Sequence, residues 1–301
     1  MKKDKISVSI VLGTYNRKRF LKKTLKSVSD NNINVPYEII AVDGGSTDGT
    51  LKYLKTRKDI HVINQYGNKE RPTDPDKLQS WGCFMNKGFQ AARGKYVCMI
   101  SDDCLVVPDS IQNGYEMFEK LLRDGRKIGA VAFYWRDWPG RNEYWVGSTL
   151  GGKMFVNHGM YLREALETVS WIDEKRYQFY HADGDLCLKM WDKGYEVVDC
   201  KQSFIEHYHH ANVRLRQSNF SRQKADWKAY LKRWEGVFYN PESDERTGAK
   251  QKISFNDPSK MCRQFMILHL FNFARHFKIL RTYFDSFIRR LDGARNHRYT
   301  D

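Results

Sequence analysis

Apolar runs and helical repeats alternate along the first hundred residues of the chain. Between the apolar runs, single apolar residues recur at the spacing of a helix, most clearly over residues 19–29 and 83–94. Strands that alternate with helices predict an α/β fold, with a Rossmann-like, mainly parallel sheet flanked by helices. The runs that predict buried strands are rich in β-branched residues and lie at 6–12, 37–43, 60–65 and 95–100.

The pattern is less regular in the second half. An apolar run at 128–135 predicts a strand, residues 156–169 predict a strand and a helix, and residues 185–200 predict a helix, a turn and a strand. Beyond these the chain becomes basic and helical in pattern. We therefore predict a sheet domain over residues 1–210 and a helical, basic C-terminal extension over residues 211–301.

Polar side chains follow three of the predicted strands. The segments Gly13–Arg17, Asp43–Asp48 and Asp102–Asp103 each begin where an apolar run ends. Because the carboxyl ends of parallel strands share one edge of the sheet, and ligands bind at that edge, these segments predict one binding site. Asp102 and Asp103 are adjacent like charges, so they require a cation, a shared proton or water.

The charge and the cysteines narrow the setting. The 301 residues carry a formal net charge of +15, which suits phosphates, nucleic acid or an anionic membrane surface without separating them. Six cysteines form no CxxC pair, which favours a reducing, intracellular compartment. The N-terminus is a poor signal peptide, and no segment reaches the roughly 18 apolar residues that span a bilayer. We expect a cytoplasmic protein whose contact with the inner face of the membrane, where there is any, is peripheral.

Four motifs resemble those of one enzyme family in their order and spacing. They are "VSIVLGTYNR", "IIAVDGGSTDGT", "FMNKGFQAARGKYVCMISDD" and "HADGDLCLKMWDKGYEVV…IEH". Together they resemble family 2 glycosyltransferases, which have the GT-A fold, over roughly residues 6–210. The resemblance implies transfer of a sugar from a nucleotide-sugar donor to an acceptor hydroxyl with inversion, usually with a divalent metal. It also implies a nucleotide-binding half over residues 1–108 and an acceptor-binding half over residues 109–210.

The resemblance implies a metal site at the paired carboxylates. The family's DxD element falls on Ser101, Asp102 and Asp103, so its first Asp is a Ser here. Asp103 would bind the metal, Asp102 the ribose or a metal-bound water, and His207 would complete the site, with His209 as the alternative. Oxygen ligands suit Mn²⁺ or Mg²⁺, and imidazole favours Mn²⁺. Without the other motifs, the two Asp could equally be an exposed pair that caps a turn.

The resemblance places the catalytic base at Asp183. The family's acidic pair falls on Ala182 and Asp183, so the usual Glu is an Ala here. A carboxylate can take the proton of an acceptor hydroxyl as that oxygen attacks the anomeric carbon. The alternative role of Asp183 is to cap the helix, and this is also the role that we expect for Asp185.

The donor-binding residues that the resemblance implies lie mainly in the first two motifs. A loop after a strand can bring backbone groups and a guanidinium to a base and phosphates, and Asp43 could accept the N3–H of a pyrimidine. A third segment, in which Asp76 and Lys77 precede a helix, resembles one that lies against the nucleotide in a subgroup of the family. Its residues could instead be solvated surface. The candidates are Thr14, Tyr15, Arg17, Asp43, Lys77, Asn86 and Lys87.

The C-terminal tail carries apolar residues at helical spacing, with basic residues around them. A basic amphipathic helix rich in Phe can lie in the headgroup region of an anionic membrane, and the alternative is packing on the core or on another subunit. The apolar residues are Phe277, Leu280, Phe284, Phe287, Ile288 and Leu291, and the basic ones are Lys278, Arg281, Arg289 and Arg290.

The expected function is that of a metal-dependent, inverting glycosyltransferase. It would use a nucleotide-sugar, with UDP-sugars favoured, and a glycan or lipid-linked acceptor in surface polysaccharide or glycoconjugate synthesis. A sugar nucleotidyltransferase would usually have a Gly-rich loop after the first strand, and "LGTYNRKRF" lacks the glycines. A nucleic-acid-binding protein would suit the net charge, but three acidic clusters would repel a phosphate backbone, so no nucleic acid is expected. A catalytically inactive, sugar-binding relative would be consistent with Ser101 and Ala182.

Overall fold

The computed structural model describes residues 5–74, 77–138, 143–208, 213–242 and 251–253. The strands are β1 (Val8–Thr14), β2 (Tyr37–Asp43), β3 (Ile60–Asn64), β4 (Tyr96–Ser101), β5 (Cys104–Val106), β6 (Ile128–Trp138), β7 (Tyr144–Val146), β8 (Gly159–Leu162), β9 (Glu196–Tyr208) and β10 (Gln251–Ile253). The α-helices are α1 (Lys18–Ser29), α2 (Thr50–Lys55), α3 (Trp81–Ala91), α4 (Ser110–Arg123), α5 (Arg163–Thr168), α6 (Ala182–Asp192) and α7 (Val213–Trp234).

The N-terminal half forms the predicted parallel sheet. β1 lies between β2 and β4, and β3 pairs with β2, all in parallel register. β1 and β4 are buried along almost their whole length, as expected for strands of a parallel sheet. β1 does not end at Gly13: this residue pairs with Val42 on one side and Ser101 on the other, and the strand continues to Thr14.

The C-terminal half makes the ten-stranded sheet mixed. β8 is antiparallel to β4 and β6, β5 is antiparallel to β9, and β9 is parallel to β6. Gly159 begins β8 so close to β6 that a Cβ there would lie 2.2 Å from the carbonyl oxygen of Val131. β6 and β9 run further than their apolar patterns predict, because polar residues near their ends pair with each other, Asp137 with His207.

The extension is described in part. α7 is helical as predicted, and Trp234 at its end donates from Nε1 to Oδ1 of the buried Asp185 at 2.9 Å. β10 adds a strand antiparallel to β7. The predicted amphipathic helix, from Phe277 to Leu291, lies outside the described residues. Across the described ranges, no helix combines the length and the apolar character needed to cross a bilayer.

Candidate active site

One cavity of about 550 Å³ opens at the carboxyl edge of β1 and β4. Its walls come from the β1–α1 loop, the β4–β5 turn, the ends of β6 and β9, and the start of α6. The structure therefore brings segments from both halves of the domain to one place. The predicted site residues that line it are Thr14, Tyr15, Arg17, Asp102, Asp103, Asp183 and His207.

Asp102 and Asp103 share one cation. Nη1 of Arg17 lies 2.8 Å from Asp102 Oδ1 and 2.8 Å from Asp103 Oδ2, and the carboxylate side chains are only 4% and 7% exposed. Burial holds the pKa of Asp102 above its ordinary value. Burial acts on Asp103 in the same direction, but Arg17 and His207 hold its pKa below the ordinary value. The pair is thus buried and shares one cation of the chain itself, which balances one of its two charges, unlike an exposed pair that caps a turn.

Helix α1 positions both the carboxylates and their cation. Arg17 directly precedes the helix, and Thr24 on its second turn lies under the β4–β5 turn. The buried hydroxyl of Thr24 donates to the carbonyl oxygen of Asp102 at 2.9 Å and to that of Cys104 at 2.7 Å. A single proton serves both acceptors, so the backbone on either side of Asp103 is attached to α1.

The register of β9 places His207 beside the carboxylates. It pairs with Cys104 on β5 and with Asp137 on β6. Its Nδ1 lies 2.9 Å from Asp137 Oδ1 and its Nε2 lies 3.6 Å from Asp103 Oδ1. Burial would lower the pKa of His207, but the two carboxylates raise it above its ordinary value.

The carboxylate of Asp103 and the imidazole of His207 fit a shared divalent cation. Asp103 Oδ1 is buried and has no hydrogen-bond partner among the described residues. Two ligand atoms that each lie about 2.1 Å from a cation are about 3 to 4 Å apart, as these two are. Asp137 holds the other ring nitrogen, an arrangement that orients histidine ligands in metal sites. The alternative ligand, His209, lies outside the described residues.

Cys104 and His158 form a buried pair beside this site. The sulfur of Cys104 lies 3.0 Å from Nε2 of His158, and within 4.8 Å of the possible ligand atoms of Asp103 and His207. Burial raises the pKa of Cys104 and lowers that of His158 to about 3. The pair is therefore a thiol and a neutral imidazole, and it adds no charge to the cavity.

Asp183 lies in the first turn of α6. Its Oδ1 accepts a hydrogen bond from the adjacent N–H of Gly184 at 2.8 Å. The N-cap position is occupied by His181, which makes no capping bond with its side chain, so Asp183 is inside the helix and is not its cap. Burial raises the pKa of Asp183, and the bonds from Gly184 and Asn157 offset part of this effect. A carboxylate with a raised pKa in a cavity suits proton transfer.

Asp43 does not line this cavity but lies beside a second, smaller one. Its Oδ1 accepts from the N–H groups of Gly45 and Ser46 at 3.0 and 2.9 Å, while its buried Oδ2 has no partner among the described residues. The neighbouring cavity, of about 130 Å³, is lined by Tyr15 and Arg71. The guanidinium of Arg71 lies 3.9 Å from the centre of the Tyr15 ring. Arg71 was not among the predicted site residues, since no motif contains it.

The candidate residues of the third predicted donor segment do not line the cavity. Asn86 is buried, and its amide bonds Ile172 and Glu174, so it holds that loop and is not free to contact a nucleotide. The side chain of Lys77 is 75% exposed and lies 3.7 Å from Asp74. Lys87 lines neither of the two cavities, and Asp76 lies outside the described residues.

Other residues of α3 line the cavity instead. They are Trp81, Phe84 and Met85. A Cβ on Gly13 would lie 2.0 Å from Cε1 of Phe84, so glycine is required there by the approach of this ring. Gly13 therefore does not end the strand, as its sequence context predicts, but leaves space for the ring of Phe84.

Two further motif positions have structural roles. Ala182 is fully buried, so a glutamate there would place an additional charge in the core. Asp185 is not the predicted helix cap: its Oδ1 accepts from Tyr177 and Trp234, at 3.0 and 2.9 Å, and lies 2.8 Å from Arg233. Asp185 therefore attaches the end of α7 to α6.

Comparison with known proteins gives one family. A model described as glycosyl transferase family 2 matches residues 9–161, just over half of the chain. Among curated relatives, the dolichyl N-acetyl-alpha-D-glucosaminyl phosphate 3-beta-D-2,3-diacetamido-2,3-dideoxy-beta-D-glucuronosyltransferase of Methanococcus voltae is 24% identical over 125 residues. These residues are 41% of this chain and 37% of that protein, so the chain matches well under half of its relative.

Two solved structures share the fold at low sequence identity. TarS of S. aureus, in complex with UDP-GlcNAc, is 15% identical with a TM-score of 0.51, over 68% of this chain and 59% of that one. The mannosyltransferase PcManGT of Pyrobaculum calidifontis, in complex with GDP-Man and Mn²⁺, is also 15% identical, with a TM-score of 0.54. That likeness covers 79% of this chain and 69% of the mannosyltransferase.

Proposed function

The chain belongs to glycosyl transferase family 2 and has the GT-A fold, and from this premise we propose that it is an inverting, metal-dependent enzyme. One observation carries the proposal. A single cavity is lined by a buried carboxylate pair with its guanidinium, a carboxylate–imidazole pair that fits a cation, and a separate carboxylate of raised pKa. The cation site would stabilise a leaving diphosphate, and the separate carboxylate would accept the proton of an attacking hydroxyl.

The donor would bind along the carboxyl edge of the parallel strands. Asp103 and His207 would hold Mn²⁺ or Mg²⁺, which when bound supplies positive charge against the leaving diphosphate. Asp102 would contact the ribose or a metal-bound water. Asp43, with an unpartnered Oδ2, would accept the N3–H of a pyrimidine, and this favours UDP-sugars. Residues 1–108 would form the nucleotide-binding half.

Asp183 would act as the base in a single displacement. Its carboxylate accepts the proton of the acceptor hydroxyl as that oxygen bonds to the anomeric carbon from the face opposite the diphosphate. The bond to the diphosphate breaks in the same step, so the anomeric configuration inverts and no covalent enzyme intermediate forms. Burial raises the pKa of Asp183, which strengthens it as a base for a weakly acidic hydroxyl.

The acceptor would be a glycan or a lipid-linked sugar. The relative from Methanococcus voltae is named for transfer to a dolichyl-linked sugar phosphate, and this supports a lipid-linked acceptor here. Residues 109–210 would shape the acceptor side. A role in surface polysaccharide or glycoconjugate synthesis, at the cytoplasmic face of a membrane, would follow from such an acceptor.

The test begins with the full chain and three donors, UDP-glucose, UDP-GlcNAc and GDP-mannose. Each is mixed with Mn²⁺, Mg²⁺ or EDTA and with a panel of decyl glycosides, and products are detected by mass spectrometry. NMR of the product then gives the anomeric configuration. An inverted product that requires a divalent cation supports the proposal. Binding of a nucleotide-sugar without turnover would instead favour the catalytically inactive relative.

Replacement of Asp183 by Asn tests the base. We expect transfer to fall by about 10²- to 10⁴-fold, because a general base is lost, while UDP binding with Mn²⁺ stays within about twofold. Asp192→Asn is the matched control, since Asp192 is an exposed carboxylate at the far end of the same helix. Near-normal turnover by Asp183→Asn would show that the base lies elsewhere.

A further inference from the structure

The loop that leads into α6 forms one wall of the cavity. Phe179, Tyr180 and His181 all line it, directly before the helix that carries Asp183. Phe179 is 37% exposed, an unusual degree for a large apolar side chain in this protein. An aromatic face at the mouth of a sugar-processing cavity can stack on the apolar face of a sugar ring.

A carboxylate on α7 holds this wall. Asp226 is 4% exposed and accepts hydrogen bonds from three consecutive backbone N–H groups. They are the N–H groups of Gln178, Phe179 and Tyr180, at 2.9, 2.9 and 2.8 Å. Successive N–H groups that point to one anion form a nest, and bonds to an ionised acceptor are about twice as strong as neutral ones. The conformation of the loop thus depends on one side chain that is distant in sequence.

The rest of the loop has partners on both sides. The carbonyl oxygen of Gln178 accepts from the N–H of Trp81, at the start of α3, at 2.9 Å. His181 has the left-handed φ of +65°, which a non-glycine residue adopts only with support from its surroundings. Its ring packs on Trp227 and Tyr230 of α7, with centroids 4.8 and 5.2 Å away. The described part of α7 therefore supports the loop along its length.

We propose that Asp226 is a positioning residue for the acceptor: it holds Phe179 and Tyr180 as the wall on which the acceptor sugar stacks, at a fixed distance from Asp183. This inference rests on the proposed function. It concerns the acceptor because the loop continues into the helix of the base, and Tyr180 and His181 line the larger cavity but not the smaller one beside Asp43. Phe179 lines both cavities, at the boundary between them. Asp226 touches backbone only in these contacts, so it acts through the loop.

The test compares Asp226→Asn with the wild type in the full chain. An amide side chain lacks the charge and has an NH₂ group in place of one carboxylate oxygen, so at least one of the three N–H groups loses its acceptor and the others lose an ionised one. We expect deuterium exchange at residues 178–180 to be about tenfold faster, and the KM for the best decyl glycoside to rise about tenfold. The affinity for UDP with Mn²⁺ should change by about threefold at most, because Arg17, Asp103 and His207 are on other elements, although Phe179 also lines the smaller cavity.

Asp173→Asn is the matched control. Asp173 also accepts from two successive N–H groups, those of Lys175 and Arg176 at 3.1 and 3.0 Å, but it does not line the cavity. Its replacement should leave acceptor kinetics unchanged. Phe179→Ala gives a second route should Asp226→Asn fold poorly, since it removes the exposed ring itself and should raise the acceptor KM to a similar degree.

The outcomes separate the two proposals. A wild type that transfers no sugar overturns the proposed function and this inference with it. An active wild type, with an Asp226→Asn variant or a folded Phe179→Ala variant whose acceptor KM is unchanged, overturns the inference alone. A loss of UDP affinity equal to the rise in acceptor KM would also overturn it, because the effect would then be a general loss of structure.

Discussion

Replacement of Arg17 by Met tests the charge arrangement at the cavity. One nitrogen of Arg17 makes both 2.8 Å contacts to carboxylates whose side chains are 4% and 7% exposed. Met keeps most of the aliphatic length but leaves Asp102 and Asp103 buried side by side without their cation. Removing one partner of a buried ion pair costs about 3–5 kcal/mol in the free energy of unfolding. Because Arg17 itself is 19% exposed, we expect a loss near 3 kcal/mol at pH 7.5.

Thermal unfolding measures this loss. In a domain of this size, 1 kcal/mol corresponds to about 2–4 °C, so Tm should fall by about 6–12 °C. Arg17→Lys is the matched control: a single nitrogen makes both contacts, so a lysine ammonium could keep them and should recover at least half of the loss. Added Mn²⁺ should raise the Tm of the Met variant by more than that of the wild type, because it supplies positive charge at Asp103.

The loss of stability in the Arg17→Met variant should depend on pH. Arg17 helps to hold the folded-state pKa of Asp103 below its ordinary value, so this stabilisation is present above the unfolded pKa and is lost as the pH falls through the folded pKa. In the Met variant the carboxylates take up protons at higher pH, which relieves their repulsion. The difference in Tm should therefore narrow between about pH 7 and pH 4. A Met variant within about 2 °C of the wild type at pH 7.5 would refute the reasoning.

Three further predictions concern the partner of His207, the carboxylate of Glu38 and a pair of glycines. Asp137→Asn should weaken Mn²⁺ binding, measured by calorimetry, by about 10- to 100-fold, because His207 loses the carboxylate that orients its ring; an unchanged affinity would place the metal elsewhere. Glu38→Gln should lower the free energy of unfolding by about 1 kcal/mol at pH 7, because the Glu38 carboxylate accepts from the hydroxyl of Ser9 and the guanidinium of Arg93. The deficit should vanish as the pH falls through the lowered pKa of Glu38, which denaturant titration at several pH values can check. Gly159→Ala should cost about 2–4 kcal/mol by the same titration, since its Cβ would lie 2.2 Å from a backbone oxygen. Gly125→Ala, at a left-handed position with nothing within 4 Å, should cost about 1–2 kcal/mol, from backbone strain alone.

The convergence of motifs on one cavity was predictable from the chain because it depends on local patterns. Tyr37–Asp43 is a strand at its predicted bounds, and the rule for parallel sheets puts Asp43, Asp102 and the β1 loop at one edge. His207 was predicted from the resemblance of a motif that ends in histidine. The strand partners of His207 were not predictable, because β9 pairs with β5 and β6, which are far from it in sequence.

The residues that were missed have no local signal. Asp137 follows an apolar run that seemed complete at Trp135, and its place beside His207 depends on the register of two strands that are 70 residues apart. Asp226 lies on a polar helix, and its three partners lie on a loop 46 to 48 residues before it. The partners of Asn86 were not predictable either: a polar residue next to basic ones resembles a ligand contact, whereas its amide bonds Ile172 and Glu174.

The charge of the cavity indicates that Arg17 does not take the place of the proposed divalent cation. Arg17 is the one arginine or lysine on the described walls, and its Nη1 is already engaged by two carboxylates. Even with His207 protonated, the walls carry more negative than positive charge, and a nucleoside diphosphate would add to the excess. A divalent cation bound at Asp103 and His207 would reduce this repulsion. Asp183 in the same cavity would then be more fully ionised, because a nearby positive charge lowers the pKa of a buried carboxyl. Donor binding would thus prepare the base for the acceptor. The walls' carboxylates are those of Asp102, Asp103, Asp137 and Asp183.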